Sequence, residues 1–154
     1  MLDDRDRKIL NSVQRDADVP LAELAELVNL SVSSCSRRVQ RLKDEGYIQR
    51  NVSVLDRNLL NVGATVFVMI KTQNHSADWL ERFRRVQADI PEIVEVHRLA
   101  GNLDYIIKMV VRDISHYDSI YKRLVSHIDL FDVSAYISME TLKDVQAVPT
   151  HLAL

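Results

Sequence analysis

Residues 24–46 read LAELVNLSVSSCSRRVQRLKDEG, and they predict two short helices joined by a tight turn. The turn falls at Asn29, since asparagine tolerates the left-handed backbone that ends many helices. Ser31 is the expected N-cap of the second helix, because its hydroxyl can accept a hydrogen bond from a free backbone N–H. This order of elements is a helix-turn-helix. The first helix is expected over residues 21–28, with a buried stripe of Leu21, Leu24, Ala25, Leu27 and Val28.

The second helix has two chemically different faces at 3.6 residues per turn. The inward stripe is apolar and consists of Val32, Cys35, Val39 and Leu42. The outward face is small and polar at its start and cationic further along: Ser33, Ser34, Arg37, Gln40 and Arg41, with Arg38 on the flank. Short side chains allow close approach to a major groove, amide and guanidinium groups reach base edges, and flanking arginines bind phosphates. We therefore predict these six residues as the DNA-binding residues and double-stranded DNA as a partner.

The positive charge of this region is concentrated on the second helix. Residues 1–30 hold four Lys and Arg against seven Asp and Glu, a net −3, whereas residues 31–50 hold five against two, a net +3. The whole chain of 154 residues carries −2 at pH 7, so any DNA binding is local, and a small patch gains from being presented by several copies. An ordinary solvated amphipathic helix is the alternative for this segment taken alone, but the charge asymmetry favours nucleic acid.

Composition excludes several other classes. The single cysteine, Cys35, excludes a disulfide framework and a cysteine metal site. The five histidines show no metal-ligand spacing, and no nucleophile or phosphate-loop motif occurs, so we expect neither a metal nor an enzyme. No secretory segment opens the chain and no apolar run reaches about 18 residues, which predicts a cytoplasmic protein without a membrane span.

The sequence on either side of the helix-turn-helix completes a small domain. Asp3 and Asp6 are spaced as a cap at the start of a further helix, which we expect to end near Asp16. Residues 47–55 contain β-branched side chains in an alternating pattern of apolar and polar residues, which predicts a strand or extended wing. Residues 1–55 are thus predicted to form a winged helix-turn-helix domain, followed by a linker over residues 56–62.

From residue 63 the pattern changes to β-α-β-β-α-β. Strands are expected over residues 64–72, 93–99, 105–111 and 133–142, and helices over residues 77–88 and from Ser115, with Asp118 as its capping partner. This is the ferredoxin-like arrangement, in which two helices cover one face of an antiparallel sheet, and it makes the chain an α+β protein. Residues 63–154 are assigned to this domain.

The first of these strands is apolar on both of its sides. Residues 66–70 read VFVMI, whereas a strand in a sheet covered on one face only should alternate. The second sheet face is therefore expected to be covered as well, most simply by another copy of the chain. We predict a homodimer formed sheet to sheet.

Three stretches carry a family resemblance that spans nearly the whole chain: LDDRDRKIL at the start, LAELVNLSVSSCSRRVQRLKDEGYI in the helix-turn-helix, and AGNLDYIIKMVV in the second domain. The chain resembles the leucine-responsive/asparagine-regulator (Lrp/AsnC, feast/famine) family of transcription factors. The resemblance implies a ligand-sensing second domain, dimers that associate into octamers, and an amino-acid effector bound between dimers near the glycine turn. The chain departs from the family pattern at Ser34, where proline is common, and at Leu103, where an aromatic residue is common.

The resemblance also points to effector residues. Gly101, Asn102, Leu103 and Asp104 match the family's glycine turn, and Ser134, Tyr136 and Ser138 could supply hydroxyl groups to a bound zwitterion. The run IKTQNHSADW is similar to a branch associated with cysteine response, which indicates a small, sulfur-containing amino acid. No other cofactor is expected.

Three alternatives stay open at this point. Gly101-Asn102 also suits a plain two-residue hairpin turn. An architectural DNA-binding protein that ignores small molecules would share every DNA-binding feature. Sirohaem decarboxylases resemble the same two-domain family, so an enzyme of that kind is the remaining, minor alternative.

Overall fold

The computed structural model describes residues 2–145 and 147–153, which divide into two compact units. The first unit holds the described residues up to 54 together with those from 143 onward, and the second holds residues 55–142. The chain therefore leaves the first unit once and later returns to it. The sequence pattern, by contrast, predicts that residues 143–154 belong to the second domain.

The first unit is built on three helices, α1 (Asp4–Val13), α2 (Leu21–Leu27) and α3 (Val32–Asp44). Local signals account for their ends: Asn29 has a positive φ of 51°, and the Ser31 hydroxyl accepts a hydrogen bond from the N–H of Ser34. Asp3 and Asp6 form a reciprocal capping box at the start of α1, as predicted. The buried core consists of Leu2, Ile9, Leu24, Ala25, Val28, Cys35 and Leu42.

Two inward assignments and one helix end were wrong. Leu27 and Val32 are 52% and 49% exposed, because they lie at the two ends of the turn between α2 and α3, where no other helix covers them. The first helix ends at Val13 rather than near Asp16.

Residues 47–55, predicted as a strand or an extended wing, form no strand. Ile48 packs against the helical core, but Val52, Val54 and Leu55 are 61%, 91% and 66% exposed. A strand is stabilised by hydrogen bonds to a neighbouring strand, and the described residues of the first unit contain none. The alternating pattern of this segment therefore forms no sheet.

The described tail, residues 147–153, contacts the first helix and the residue that caps its end. The side chain of Gln14 forms two hydrogen bonds with the backbone of Val148, of 3.0 and 2.9 Å, and Arg7 donates to the carbonyl of Ala153 at 3.1 Å. A short 3-10 helix, Thr150–Leu152, lies between these two contacts. These described residues, 147–153, thus belong to the first unit and not to the second.

The second unit is a four-stranded antiparallel sheet with two helices. Its elements in chain order are β1 (Ala64–Lys71), α4 (Ala77–Ala88), β2 (Ile93–Arg98), β3 (Tyr105–Val111), α5 (Ile114–His127) and β4 (Asp132–Ile137). The strand order β2-β3-β1-β4 is that of the predicted ferredoxin-like fold. Three aromatic rings, those of Trp79, Phe83 and Tyr105, pack together in the core with centroids 4.9–5.7 Å apart.

Details of this unit differ from the sequence prediction at its element ends. Helix α5 begins at Ile114, because Asp113 caps it by accepting from the N–H of His116, so Ser115 and Asp118 do not form the predicted cap. Strand β4 stops at Ile137 instead of continuing to residue 142. The last residue pair between β4 and β1 is Ile137 with Val66, so the residues after Ile137 have no paired residue on β1 in this register.

The two faces of the sheet are buried to different degrees. On β1, Val66, Val68 and Ile70 point into the helix-covered core, whereas Phe67 and Met69 lie on the opposite, half-buried face. We call this second face, whose central residues are Phe67, Met69, Ile106, Lys108, Val110, Ser134 and Tyr136, the open sheet face. No helix among the described residues has the length and apolar character needed to cross a bilayer.

The contact between the tail and α1 gives a first prediction. Gln14→Ala removes both hydrogen bonds to Val148, and we expect it to lower the free energy of unfolding of the first unit by about 1 kcal/mol. Amide hydrogen exchange of residues 147–153 should speed up at the same time. The control is Asn11→Ala, which removes only the contact between Asn11 and Gln14. Equal exchange in the two variants would contradict a tail held by Gln14.

Candidate nucleic-acid interface

The N-terminal end of α3 presents a cluster of hydroxyl groups. The Ser31 hydroxyl lies 2.9 Å from that of Ser34 and 3.3 Å from that of Ser33, while it also caps the helix. Ser33 is exposed and Ser34 is half-buried. These short side chains leave backbone and hydroxyl groups accessible at a helix end that favours anions.

One turn further on, α3 presents long polar side chains. Arg37 is exposed, and its guanidinium reaches the Ser34 hydroxyl only at 3.5 Å. Gln40 is exposed and donates to Asp44 at 2.8 Å. Within the described residues Arg37 takes part in no ion pair, so its donors are available to an external acceptor.

The other two arginines are bound to α1. Arg38 Nη1 lies 2.6 Å from Asp3 Oδ2 and 2.8 Å from Asp6 Oδ1, and Arg41 Nη2 lies 2.6 Å from Asp6 Oδ2. Asp6 is 1% exposed, so each of its carboxylate oxygens has its own guanidinium partner inside the protein. We call this arrangement of Asp3, Asp6, Arg38 and Arg41 the carboxylate–guanidinium network.

The network keeps all four groups ionised. Burial is the largest influence on Asp6 and opposes ionisation, but hydrogen bonds from Arg41, the Asp3 N–H and Arg38 together hold its pKa below the ordinary value. The pKa of Asp3 is also lowered, chiefly by the backbone N–H of Asp6 and also by Arg38. The pKa of Arg38 is raised by its hydrogen bonds to Asp3 and Asp6, and that of Arg41 by its bond to Asp6. The network therefore carries two negative and two positive charges at neutral pH.

An open cleft of about 510 Å³ lies beside the network. It is lined by Asp3, Asp6, Leu30, Ser34, Arg37, Arg38 and Arg41. Four of the six predicted DNA-binding residues thus face the cleft or its rim, on the same side of α3, whereas Ser33 and Gln40 are exposed next to it.

Sequence reasoning missed the role of Asp3 and Asp6 at this surface. Both were interpreted only as capping residues of α1. The signal available in the sequence was spacing. Asp6 precedes the core residue Ile9 by three positions and so lies on the same face of α1, where a buried carboxylate requires a cationic partner. The nearest cationic helix is α3.

The predicted effector residues lie at two different places in the second unit. Residues 99–104 form a loop between β2 and β3, closed by a hydrogen bond from the Leu99 N–H to the Asp104 carbonyl of 2.8 Å. Gly101, with a φ of +153°, and Asn102 are exposed in this loop, whereas Leu103 is half-buried. The loop is longer than the two-residue hairpin considered as an alternative.

Asp104 is already bound within the chain. Its Oδ2 accepts from the Thr72 N–H at 2.8 Å, and its own N–H donates to the carbonyl of Ile70. In the described part of the chain, no hydrogen bond uses the backbone N–H of Gly101, Asn102 or Leu103. These N–H groups are free to donate hydrogen bonds to a carboxylate.

Of the three hydroxyl residues predicted at the last strand, Ser138 lies far from this loop. Ser134 and Tyr136 lie on the open sheet face opposite Met69 and Phe67. Ser138 follows β4 and donates its N–H to the carbonyl of Thr65, at the start of β1, which is roughly 20 Å along the strand from the end that contacts Asp104. One chain alone therefore does not assemble all seven residues into a single site.

Other chemistry is not supported by the side chains present. Cys35 is fully buried, and burial raises the pKa of its thiol, as for an inert core cysteine. Within residues 2–145 and 147–153, no three His, Cys, Asp or Glu side chains are grouped in a way that could hold a metal ion.

Comparison with known protein families agrees with both units. A model described as winged helix-turn-helix DNA-binding matches residues 2–49, and one described as the Lrp/AsnC ligand binding domain matches residues 65–148. The HTH-type transcriptional regulator Zrp of Zymomonas mobilis is 52% identical over 151 residues, which cover 98% of this chain and 99% of that protein. The DNA-binding transcriptional activator DecR of Escherichia coli is 41% identical over 150 residues, which cover 97% and 99%.

Solved structures give the same result. An AsnC family transcriptional regulator from Agrobacterium tumefaciens superposes with a TM-score of 0.95 at 42% identity, covering 99% of this chain and 100% of that chain. A transcriptional regulator from Neisseria meningitidis, solved as a complex with L-Met, superposes with a TM-score of 0.92 at 27% identity and covers 97% of both chains.

Proposed function

Since this chain belongs to the Lrp/AsnC family of DNA-binding transcriptional regulators, which are not enzymes, we propose that α3 enters the major groove of its operator. The six DNA-binding residues are Ser33, Ser34, Arg37, Arg38, Gln40 and Arg41. The first unit binds DNA, and the second binds the effector and other copies of the chain. The protein acts in the cytoplasm, because a regulator works in the compartment that holds its DNA.

The exposed Arg37 carries the argument for the DNA contact. It lies between the serine hydroxyls and Gln40, and its guanidinium has no carboxylate partner in the described residues. Arginine can bind the O6 and N7 of guanine together, and glutamine can do the same at adenine N6 and N7. Arg37 and Gln40 therefore read bases, while Ser33 and Ser34 allow the approach and Arg38 and Arg41 face phosphates.

Arg37→Ala tests this assignment. We expect it to lose about tenfold in affinity for the DNA upstream of the gene that encodes this chain, and less for a mixed-sequence duplex of equal length. Fluorescence anisotropy at several salt concentrations measures both affinities. The control is Arg85→Ala, which removes the same charge from an exposed residue of α4. If Arg37→Ala and Arg85→Ala bind both duplexes alike, Arg37 does not read bases.

We propose further that the open sheet face covers the same face of a second copy. Phe67, Met69 and Ile106 give it an apolar centre, and the Lys108–Glu95 ion pair of 2.7 Å lies beside them. Such a face is half-buried already within one chain, so a matching sheet would remove its remaining apolar surface from water. These dimers assemble further into octamers, which present several α3 helices to one DNA molecule.

Ile106→Lys tests the dimer. A lysine in the middle of β3 on this face would be enclosed without a partner, so we expect the variant to be monomeric by sedimentation velocity where the parent is dimeric or larger. Ile114→Lys is the control, because it makes the same change at a residue of α5 that is 65% exposed. A monomeric parent, or equal assembly of the two variants, would contradict this dimer.

The effector is proposed to be a small amino acid, with sulfur-containing ones foremost. The support is the ligand-domain match, the L-Met bound to the regulator from Neisseria meningitidis, and the free N–H groups of residues 101–103. These groups bind the carboxylate of the amino acid. Hydroxyls of Ser134, Tyr136 and Ser138 complete the site where a neighbouring copy brings them close, because one chain keeps Ser138 away from the loop.

Thermal unfolding tests the effector. The fluorescence of Trp79, the single tryptophan and a buried residue of the second unit, reports the unfolding midpoint. We expect L-cysteine or L-methionine to raise this midpoint with concentration, and the rise to be smaller in Gly101→Ala, because the φ of Gly101 is unfavourable for alanine. Gly46→Ala is the control, since it strains a positive φ in the other unit. No rise with any of the twenty amino acids would instead favour an effector-independent architectural protein.

A further inference from the structure

We propose that Asp3 and Asp6 are positioning residues that restrain Arg38 and Arg41 and so limit sequence-independent DNA binding. This inference rests on the proposed function of α3. The carboxylates hold the two guanidinium groups against α1, which leaves Arg37 as the arginine of the outward face without a carboxylate partner in the described residues. Recognition then depends on base contacts more than on charge.

The geometry of the network supports a restraint. Arg38 is bound by both carboxylates through one nitrogen, at 2.6 and 2.8 Å, and Arg41 is bound at 2.6 Å. Distances of this size are typical of strong charge-assisted hydrogen bonds. Asp6 is almost fully enclosed, so its two guanidinium partners cannot both leave it without exposing an unpaired buried charge to the interior.

Charge supports the same conclusion. The segment 31–50 has five basic side chains and two acidic ones, and the network brings two further carboxylates to the cationic side of α3. The network itself sums to zero, so two of the three arginines at this surface add little to the field that attracts phosphates. Non-specific DNA affinity depends chiefly on that field, whereas base discrimination does not.

Asp3 and Asp4 offer a matched pair of substitutions. Asp3→Asn removes one carboxylate from the network and keeps the α1 cap, because asparagine caps helices as well as aspartate does. Asp4→Asn removes the same charge one residue away, from an exposed carboxylate whose ion-pair partner is Arg7 and which does not touch α3. Both substitutions remove one negative charge near α3, so a general repulsion of DNA by acidic residues is reduced equally in the two variants. The difference between their DNA affinities therefore measures the restraint on Arg38.

The experiment measures binding of the full-length chain to its upstream DNA fragment and to a mixed-sequence duplex, over a range of salt concentrations. Relative to Asp4→Asn, we expect Asp3→Asn to bind the mixed-sequence duplex about threefold more tightly, with a salt dependence steeper by up to about one phosphate contact. The affinity for the upstream fragment should change less, so discrimination between the two duplexes falls. Asp6→Asn, which touches both arginines, should show a larger effect of the same sign.

The outcomes separate this inference from the proposed function. If the parent chain binds the upstream fragment no more tightly than the mixed-sequence duplex, and its binding does not depend on salt, the proposed function itself fails. If the parent binds as proposed but Asp3→Asn and Asp4→Asn behave alike, or if Asp3→Asn weakens binding to both duplexes, the restraint is overturned and the network serves only to join α1 to α3. Circular dichroism checks that the Asp6→Asn variant is folded, because Asp6 is buried in the parent chain.

Discussion

The buried carboxylate of Asp6 is the constraint on which the DNA-binding unit depends. A charged group that is 1% exposed requires cationic hydrogen-bond partners, since an unpaired buried charge costs several kcal/mol. Both partners come from α3, so the position of α1 fixes which side of α3 turns toward the protein. The remaining side, with Ser33, Arg37 and Gln40, is left to solvent. Packing of Ile9 and Cys35 in the core stabilises the same orientation of the two helices.

In the second unit the corresponding constraint is the register of the sheet. The antiparallel pairing of β1 with β3 places Val68 opposite Ile107 on the side that the helices cover, and its pairing with β4 places Val68 opposite the exposed Ala135 at the edge of the sheet. Because side chains alternate, the same register places Phe67 opposite Lys108 and Tyr136 on the open sheet face. A slip of β3 by one residue would exchange its two faces, and it would turn Tyr105 away from Trp79 and Phe83.

Sequence reasoning succeeded where the signal is local. The cap at Ser31, the left-handed Asn29 and the bounds of α4 and β3 follow from spacing within a few residues, and the succession of strands and helices along the second unit follows from the periodicity of each segment. It failed where the outcome depends on a distant partner. Residues 47–55 alternate like a strand but have no strand to pair with, and Asp6 finds its arginines more than 30 positions along the chain. The predicted effector residues stay a prediction, and the spacing within one chain did not show that Ser138 lies at the other end of β1 from Asp104.

The N-terminal helix is held at both of its ends by segments that are distant in sequence. Its first turn supplies Asp3 and Asp6 to the arginines of α3, while Gln14, just beyond its last turn, binds Val148 of the tail. Arg7, one turn after the network begins, binds Ala153. The described tail, residues 147–153, therefore contacts the same helix that positions Arg38 and Arg41. The tail and the α3 arginines thus have one binding element in common, which is α1 with the residues that cap it.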